Sequence, residues 1–278
     1  MATIRNLLPH LRKDKRAISP AISTTILTSA IVIMLLVTIT FANNYLNARV
    51  AENEFTAMKQ FMQTVGLQID DVAWIPGRTQ TMRYASKYGH VKVESPALNY
   101  SFYFDNNLVA NFTVGVILFS IPVSAYSVGN YYFERIFPSS DSFLQNNVSA
   151  PISRVFVIEK LPMLDGSYVR IVIAPLIRQL NSMVNNITYV RLYLPIIKAG
   201  PNPQHSRTVT LTGKNVLRQS ISSTNNVTIG LSFTSGPGTG LTSDFFNFEK
   251  TSETINVTSD SVVEIYTGEV IVSLGLYA

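Results

Sequence analysis

Few side chains in this sequence are spaced for acid–base or nucleophilic chemistry. The three histidines, His10, His90 and His205, stand far apart, and none belongs to an HExxH pair or another close ligand pair. The sequence contains neither a G-x-S-x-G elbow nor a P-loop. Two carboxylates that only folding brings together would leave no local signature, which keeps an exported hydrolase as an alternative. The sequence predicts a protein that is not an enzyme and binds no cofactor.

Adjacent carboxylates at Asp70 and Asp71 precede the only tryptophan, Trp74. A divalent cation needs several converging oxygens, whereas neighbouring residues at a helix end point in different directions. We therefore expect no metal site here and predict that Trp74 is a buried anchor between helix and sheet. The chain has no cysteine, which excludes disulfides and cysteine metal ligands.

Six Asn-x-Ser/Thr sequons are candidates for N-glycosylation. They begin at Asn99, Asn111, Asn147, Asn186, Asn226 and Asn256. Attachment of a glycan requires a surface position on the exported part of a protein. We expect Asn111 and Asn186 to be the poorest candidates, because strand edges predicted there would bury them in part.

The positive charge is concentrated at the N-terminus. Residues 1–17 hold five basic side chains and one acidic side chain, a net of +4, while the whole chain carries +5. The remaining residues have no basic patch interleaved with aromatic side chains, so the sequence does not predict nucleic-acid binding.

An uncharged segment follows the basic leader, with no charged residue between Arg16 and Arg49. Residues 26–42 are its most apolar part, and with residues 20–25 they supply the roughly 20 residues that a membrane span needs. The basic residues before the span would keep the N-terminus cytoplasmic and place the rest of the chain outside. Three interpretations compete: a secretory signal peptide, an uncut anchor, and a helix from which only the leader is removed. The segment lacks an A-x-A exit, which disfavours the first.

The junction Lys15-Arg16-Ala17-Ile18-Ser19-Pro20, followed by an uncharged helix, resembles the class III signal peptide of archaeal type IV pilins and archaellins. In that family a prepilin peptidase cuts after a small residue that follows a basic one. The resemblance therefore implies cleavage between Ala17 and Ile18, with Lys15 and Arg16 as recognition residues. It covers about residues 12–45. Ile22 stands where bacterial pilins carry a glutamate at the fifth mature position, and archaeal members often lack that glutamate.

This resemblance implies a structural subunit of an archaeal cell-surface filament, which polymerises with copies of itself. Its partners would be the prepilin peptidase, a membrane assembly platform and, before assembly, the membrane. The head would serve adhesion or surface contact. The alternative is a non-polymerising, membrane-anchored extracellular surface or solute-binding protein. Residues assigned to the assembly helix are Ile18, Pro20, Ile22, Ile26, Leu27, Ile31, Met34, Leu35, Ile39 and Phe41.

An α+β fold is predicted, with a long N-terminal helix and a β-rich antiparallel sandwich or barrel-like head. Apolar residues at spacings of three and four, from Tyr45 through Ala48 to Val65, predict that the helix packs on the head and ends before Gly66. Predicted strands cover residues 100–104, 112–121, 130–137, 155–160, 168–173, 187–194, 208–212, 227–233 and 261–276. Asp165-Gly166 predicts a hairpin turn. The predicted divisions are a leader (1–17), an assembly helix (18–65) and a head (66–278), with a candidate subdivision near 199–206.

Overall fold

The computed structural model describes residues 15–146, 153–160, 166–201, 207–222, 225–234, 241–258 and 261–275. The chain forms two compact units, Met1–Val50 and Ala51–Ala278. Helix α1 (Lys15–Ala73) supplies the regular structure of the first unit and the first 23 residues of the second. The protein is α+β, as the sequence predicts.

In the second unit, α1 buries one stripe of side chains. The stripe repeats at alternating intervals of four and three residues, which keeps its members on one face of a helix. Its members are Ala51, Phe55, Met58, Met62, Val65, Ile69 and Val72, and all are buried. The predicted stripe is confirmed from Ala51 to Val65, but Tyr45 and Ala48, which lie in the first unit, are exposed.

The prediction that α1 ends at Gly66 is wrong, because the helix continues to Ala73. Gly66 is buried inside the helix, where an added Cβ would lie 3.0 Å from Cγ2 of Val155 and 3.3 Å from Cζ of Phe137. Its missing side chain therefore serves close packing of the helix on the sheet rather than termination. The apolar spacing continues beyond it through Ile69 and Val72, which explains why the helix persists.

Thirteen strands of the described residues form two sheets. The six-stranded sheet contains, in spatial order, β1 (Thr79–Arg83), β10 (Thr208–Ser222), β13 (Val262–Leu274), β9 (Ile187–Ala199), β8 (Ile177–Val184) and β5 (Leu144–Asn146). The seven-stranded sheet contains β12 (Ser252–Asn256), β11 (Asn226–Phe233), β2 (His90–Phe104), β3 (Asn107–Pro122), β7 (Tyr168–Pro175), β6 (Ser153–Lys160) and β4 (Phe133–Phe137). A short helix α2 (Ser243–Phe246) precedes β12.

Most strand pairs are antiparallel, as predicted, but β13 runs parallel to β9 and β5 runs parallel to β8. The sheets contact each other where β9 meets β2 and β3, and α1 shares one hydrophobic core with both. The antiparallel pairing of β6 with β7 agrees with the predicted hairpin, although Asp165 lies outside the described residues.

The candidate subdivision near residues 199–206 is not a domain boundary. Strand β11, from the C-terminal side of that segment, pairs with β2 from the N-terminal side, and β13 pairs with β9 in the same way. Strands from both sides therefore complete each sheet.

Candidate assembly helix and modification sites

The first unit presents an apolar helical surface. Every side chain from residue 22 to residue 50 is exposed within the chain. The helix contains an 18-residue window with a mean hydropathy of 2.4, none of which is buried, so it is long and apolar enough to cross a membrane. Contiguous exposed apolar surface on this scale is typical of a membrane-inserted or protein-covered segment.

The apolar surface surrounds the helix instead of forming one stripe. Residues 31–37 are seven consecutive apolar side chains that cover about two helical turns, and all are exposed. A helix that is apolar all round is stable in a surrounding that is apolar on every side, such as lipid or other helices. This distinguishes residues 31–37 from the one-sided stripe in the second unit.

The hydroxyl groups of this segment bond back to the helix. The Thr28 hydroxyl donates to the Thr24 carbonyl at 2.6 Å, and the Ser29 hydroxyl donates to the Thr25 carbonyl at 2.8 Å. Thr38 makes the same bond to the carbonyl four residues earlier at 2.7 Å, as does Thr40 at 2.9 Å. Each of these hydroxyls therefore bonds the backbone of its own helix. Their donors need no outside partner, which lowers the cost of an apolar surrounding.

The residues assigned to assembly lie along this surface. Eight of them have exposed fractions from 49% at Ile31 to 71% at Phe41. These eight are Ile22, Ile26, Leu27, Ile31, Met34, Leu35, Ile39 and Phe41. The processing residues Lys15, Arg16, Ala17 and Ile18, together with Pro20, belong to the first turns of α1.

One carboxylate that the sequence analysis missed fastens α1 to a loop of the second unit. Glu54 accepts hydrogen bonds from the backbone amides of Lys87 at 2.8 Å, Tyr88 at 3.1 Å and Gly89 at 2.9 Å, and from the Ser86 hydroxyl. The side chain is only 9% exposed. Successive backbone amides that converge in this way form an anion-binding nest. The apolar pattern around Glu54 did not indicate these hydrogen bonds, because the residues that donate them are 32 to 35 positions away in the sequence.

Burial raises the pKa of Glu54, but its hydrogen bonds with Ser86 and the three loop amides outweigh that effect and hold the pKa below its usual value. The carboxylate is therefore ionised near neutral pH. Its charge strengthens the hydrogen bonds that it accepts.

Asp70 and Asp71 do not form a metal site with other residues of the described ranges, where no group of three or more His, Asp or Glu side chains could hold a metal ion. Asp71 instead pairs with Arg78. Trp74 follows the end of α1 as predicted, but it is half-buried rather than buried. Its ring packs edge-on against Tyr193 with the centroids 5.3 Å apart.

Five of the six sequon asparagines lie in the described residues, and Asn147 lies outside them. The expected partial burial of Asn111 and Asn186 is wrong, because both side chains are exposed. Asn186 occupies the turn between β8 and β9 with a φ of 63°, while Asn111 lies on the outer side of β3. Asn99 is instead the half-buried one, and its Nδ2 donates to the Ser232 hydroxyl at 3.3 Å.

Comparison of the chain with protein-family models, with curated proteins and with solved structures gives no match. Its function is therefore inferred from the residues and contacts described above.

Proposed function

We propose that the protein is a pilin-like structural subunit of an archaeal cell-surface filament. On this proposal it polymerises through residues 18–45 of α1, and the β-rich head serves adhesion or surface contact. The observation that supports this most directly is the exposed surface of residues 22–50, which carries no charge before Arg49 and is apolar on every side along residues 31–37. The basic junction before it, which resembles a prepilin peptidase site, supplies the second argument.

An apolar surrounding is available in two places. Lipid solvates the helix while the subunit waits in the membrane. Once the helix leaves the membrane, the same surface stays out of water only against copies of itself. Burial contributes about 25 cal/mol per Å² relative to water, although the gain relative to lipid is smaller. A contact that repeats head-to-tail without closing generates a helical filament.

The leader has a physical reason to be removed. Residues 1–17 carry a net charge of +4 immediately before the apolar surface. That charge would hold the N-terminus on the cytoplasmic side of the membrane. In a bundle of apolar helices, the same basic groups would be desolvated without acidic partners, at a cost of several kcal/mol per charge. Cleavage between Ala17 and Ile18 removes this cost and begins the mature chain with the apolar helix.

The alternative function uses the same helix as an uncut anchor for a non-polymerising extracellular surface or solute-binding protein. A single membrane span is also compatible with an apolar, exposed α1. The two proposals differ in the N-terminus of the native protein and in whether copies contact each other along α1.

The first test is mass spectrometry of the native N-terminus. A mature chain that begins at Ile18 is the expected result, and a chain that retains Arg12 to Arg16 would remove the main support for the filament. Ala17→Leu and Arg16→Glu should block processing and filament formation while the protein still enters the membrane. Arg12→Gln, a charge change outside the junction, is the matched control and should be processed normally. Normal filaments from both junction variants would overturn the cleavage assignment.

The second test uses the absence of native cysteine. Ile33→Cys and Leu35→Cys place single thiols on nearly opposite sides of α1, at exposed positions. In sheared surface material, both variants should form crosslinked dimers under oxidising conditions, because a filament surrounds the helix with copies. Met58→Cys, at a buried position, should remain monomeric. Monomers at both exposed positions would favour the uncut anchor.

A further inference from the structure

Four sequon asparagines lie on one face of the seven-stranded sheet. Asn226 of β11 stands directly opposite Asn256 of β12. Asn99 of β2 stands opposite Ser232 of β11, and Asn111 of β3 stands opposite Ser101 of β2. Directly opposed residues point to the same side of a sheet, as do residues two apart along a strand. The four asparagines, scattered over 158 positions from 99 to 256, therefore share one surface.

This surface is turned away from the core. The residues that alternate with it on β2 and β11, including Tyr100, Phe102, Val227 and Ile229, are buried. Asn111, Asn226 and Asn256 are exposed. The surface therefore meets solvent or a partner and plays no part in packing the second unit.

The composition of the surface is unusual, because its outward residues on β11 and β12 are all Asn, Ser, Thr or Gly. Thr228 and Thr254 bond each other across the two strands, with their hydroxyl oxygens 3.1 Å apart. Typical soluble domains contain about 25% charged residues, and these residues are mostly exposed. An uncharged layer of hydroxyls and amides is instead suited to carbohydrate, which offers hydroxyl groups as donors and acceptors.

Strand geometry also orients the sequons at Asn99, Asn111 and Asn226, each of which lies within a single strand. An Asn and the Ser or Thr two residues later face the same side, so both groups of the recognition pattern point outward. In the Asn226 sequon, the intervening Val227 is fully buried. A glycan on the asparagine therefore leaves the core packing unchanged.

We propose that the outer face of β12, β11, β2 and β3 is a glycan-bearing surface, with N-linked glycans at Asn111 and at the opposed pair Asn226 and Asn256. Asn99 carries none, because it is half-buried and its amide nitrogen already donates to Ser232. The bond forms between the asparagine Nδ2 and the anomeric carbon of a sugar. The amide loses one proton, and the phosphate of a lipid-linked sugar donor leaves with the electron pair of the sugar–phosphate bond.

These glycans do not depend on polymerisation, since a non-polymerising exported protein would carry them as well. Within a filament they have a further consequence. A glycan is bulky and hydrated, so this face cannot serve as a close contact between subunits. Subunit contacts made by the second unit would use its other surfaces.

The test is glycopeptide mass spectrometry on the full-length protein from its native host, whether it is isolated from filaments or from membranes. The expected result is a glycan at Asn111, a glycan at one or both members of the Asn226 and Asn256 pair, and an unmodified Asn99. Unmodified peptides at all three exposed positions would overturn the proposal. Modification of Asn99 together with an unmodified Asn111 would also overturn it, because a half-buried asparagine would then carry a glycan while an exposed one did not.

Substitutions within one sequon provide a matched control. Thr113→Val removes the sequon hydroxyl while keeping the side-chain shape, and should reduce the mass of the protein by one glycan. Thr113→Ser keeps the hydroxyl and should keep the glycan, which separates loss of recognition from an effect on folding. The same number of glycans on the two variants would contradict a glycan at Asn111.

Discussion

Replacing Glu54 by glutamine tests whether the loop nest stabilises the second unit, in which both Glu54 and the loop lie. The carboxylate accepts bonds from three backbone amides and one hydroxyl. Each hydrogen bond to a charged group contributes about 1.5–3 kcal/mol. Glutamine keeps one carbonyl oxygen as an acceptor but turns an NH₂ group toward the remaining donors. The loss of about two such bonds predicts that Glu54→Gln lowers the free energy of unfolding by roughly 3 kcal/mol.

The assay is equilibrium unfolding of the full chain in detergent micelles by guanidinium chloride. Trp74 is the only tryptophan and packs against Tyr193, so its fluorescence reports the second unit without labelling. Glu249→Gln is the matched control, because Glu249 is exposed, and its midpoint should be unchanged. If Glu54→Gln unfolds within about 0.5 kcal/mol of the wild type, as surface substitutions usually do, the nest does not stabilise the protein.

The pH dependence of unfolding, compared between the wild type and Glu54→Gln, is an independent test of the ionisation of this carboxylate. The pKa of Glu54 is held below its usual value in the folded protein. A carboxylate with a lowered folded pKa stabilises the protein at pH values above its unfolded pKa of about 4.3, and that contribution is lost as the pH falls through the folded pKa. The wild type should therefore lose more stability than Glu54→Gln when the pH is lowered from neutral through this range. Parallel losses in the two proteins would refute the assigned ionisation.

Two further substitutions test close packing and a buried hydrogen bond by the same unfolding assay. Gly268→Ala places a Cβ 2.4 Å from the Ala73 carbonyl oxygen and should destabilise the protein by about 1–3 kcal/mol. Gly230→Ala is the control, because its added Cβ would lie 3.6 Å from the nearest atom and should not destabilise the protein. Equal effects of the two substitutions would contradict the close approach of α1 to β13. Tyr100→Phe removes the hydroxyl that donates to the buried Pro175 carbonyl at 2.8 Å. The free energy of unfolding should fall by about 1–2 kcal/mol. An unchanged midpoint would show that this bond adds no net stability.

Local patterns in the sequence predicted the long helix and most strands, because their periodicity reflects the surface they bury. The alternation in residues 189–194 was sufficient to identify β9, where Val190, Leu192 and Leu194 are buried and Arg191 faces outward to pair with Glu264. The sequence patterns did not predict four of the strands, which are β1, β5, β8 and β12. Strand β5 has only three residues, β1 and β12 are short, polar sheet edges, and Asn181-Ser182 interrupts the apolar pattern of β8.

Long-range contacts account for what the sequence could not predict. In the sequence, Gly66 follows the apolar stripe at a point where a helix could end. Only the contact that an added Cβ would make with Val155 shows that this glycine permits close packing. The nest around Glu54 joins residues more than 30 positions apart. Grouping of sequons on one face likewise depends on strand register, which no single sequon reveals. The sequence identified the long apolar helix and the candidate asparagines, whereas the fold determined which asparagines share a surface.

The position of β13 has a consequence for how the protein acquires its structure. Strand β13 lies in the interior of the six-stranded sheet, between β10 and β9, so this sheet cannot close until the chain has been synthesised through residue 274. Non-local pairings of this kind slow folding and leave strand edges open in the meantime. Removal of β13 would therefore leave one edge of β10 and one edge of β9 open, and open strand edges are prone to aggregation. Until β13 joins the sheet, these open edges are the places where copies of the chain associate most readily.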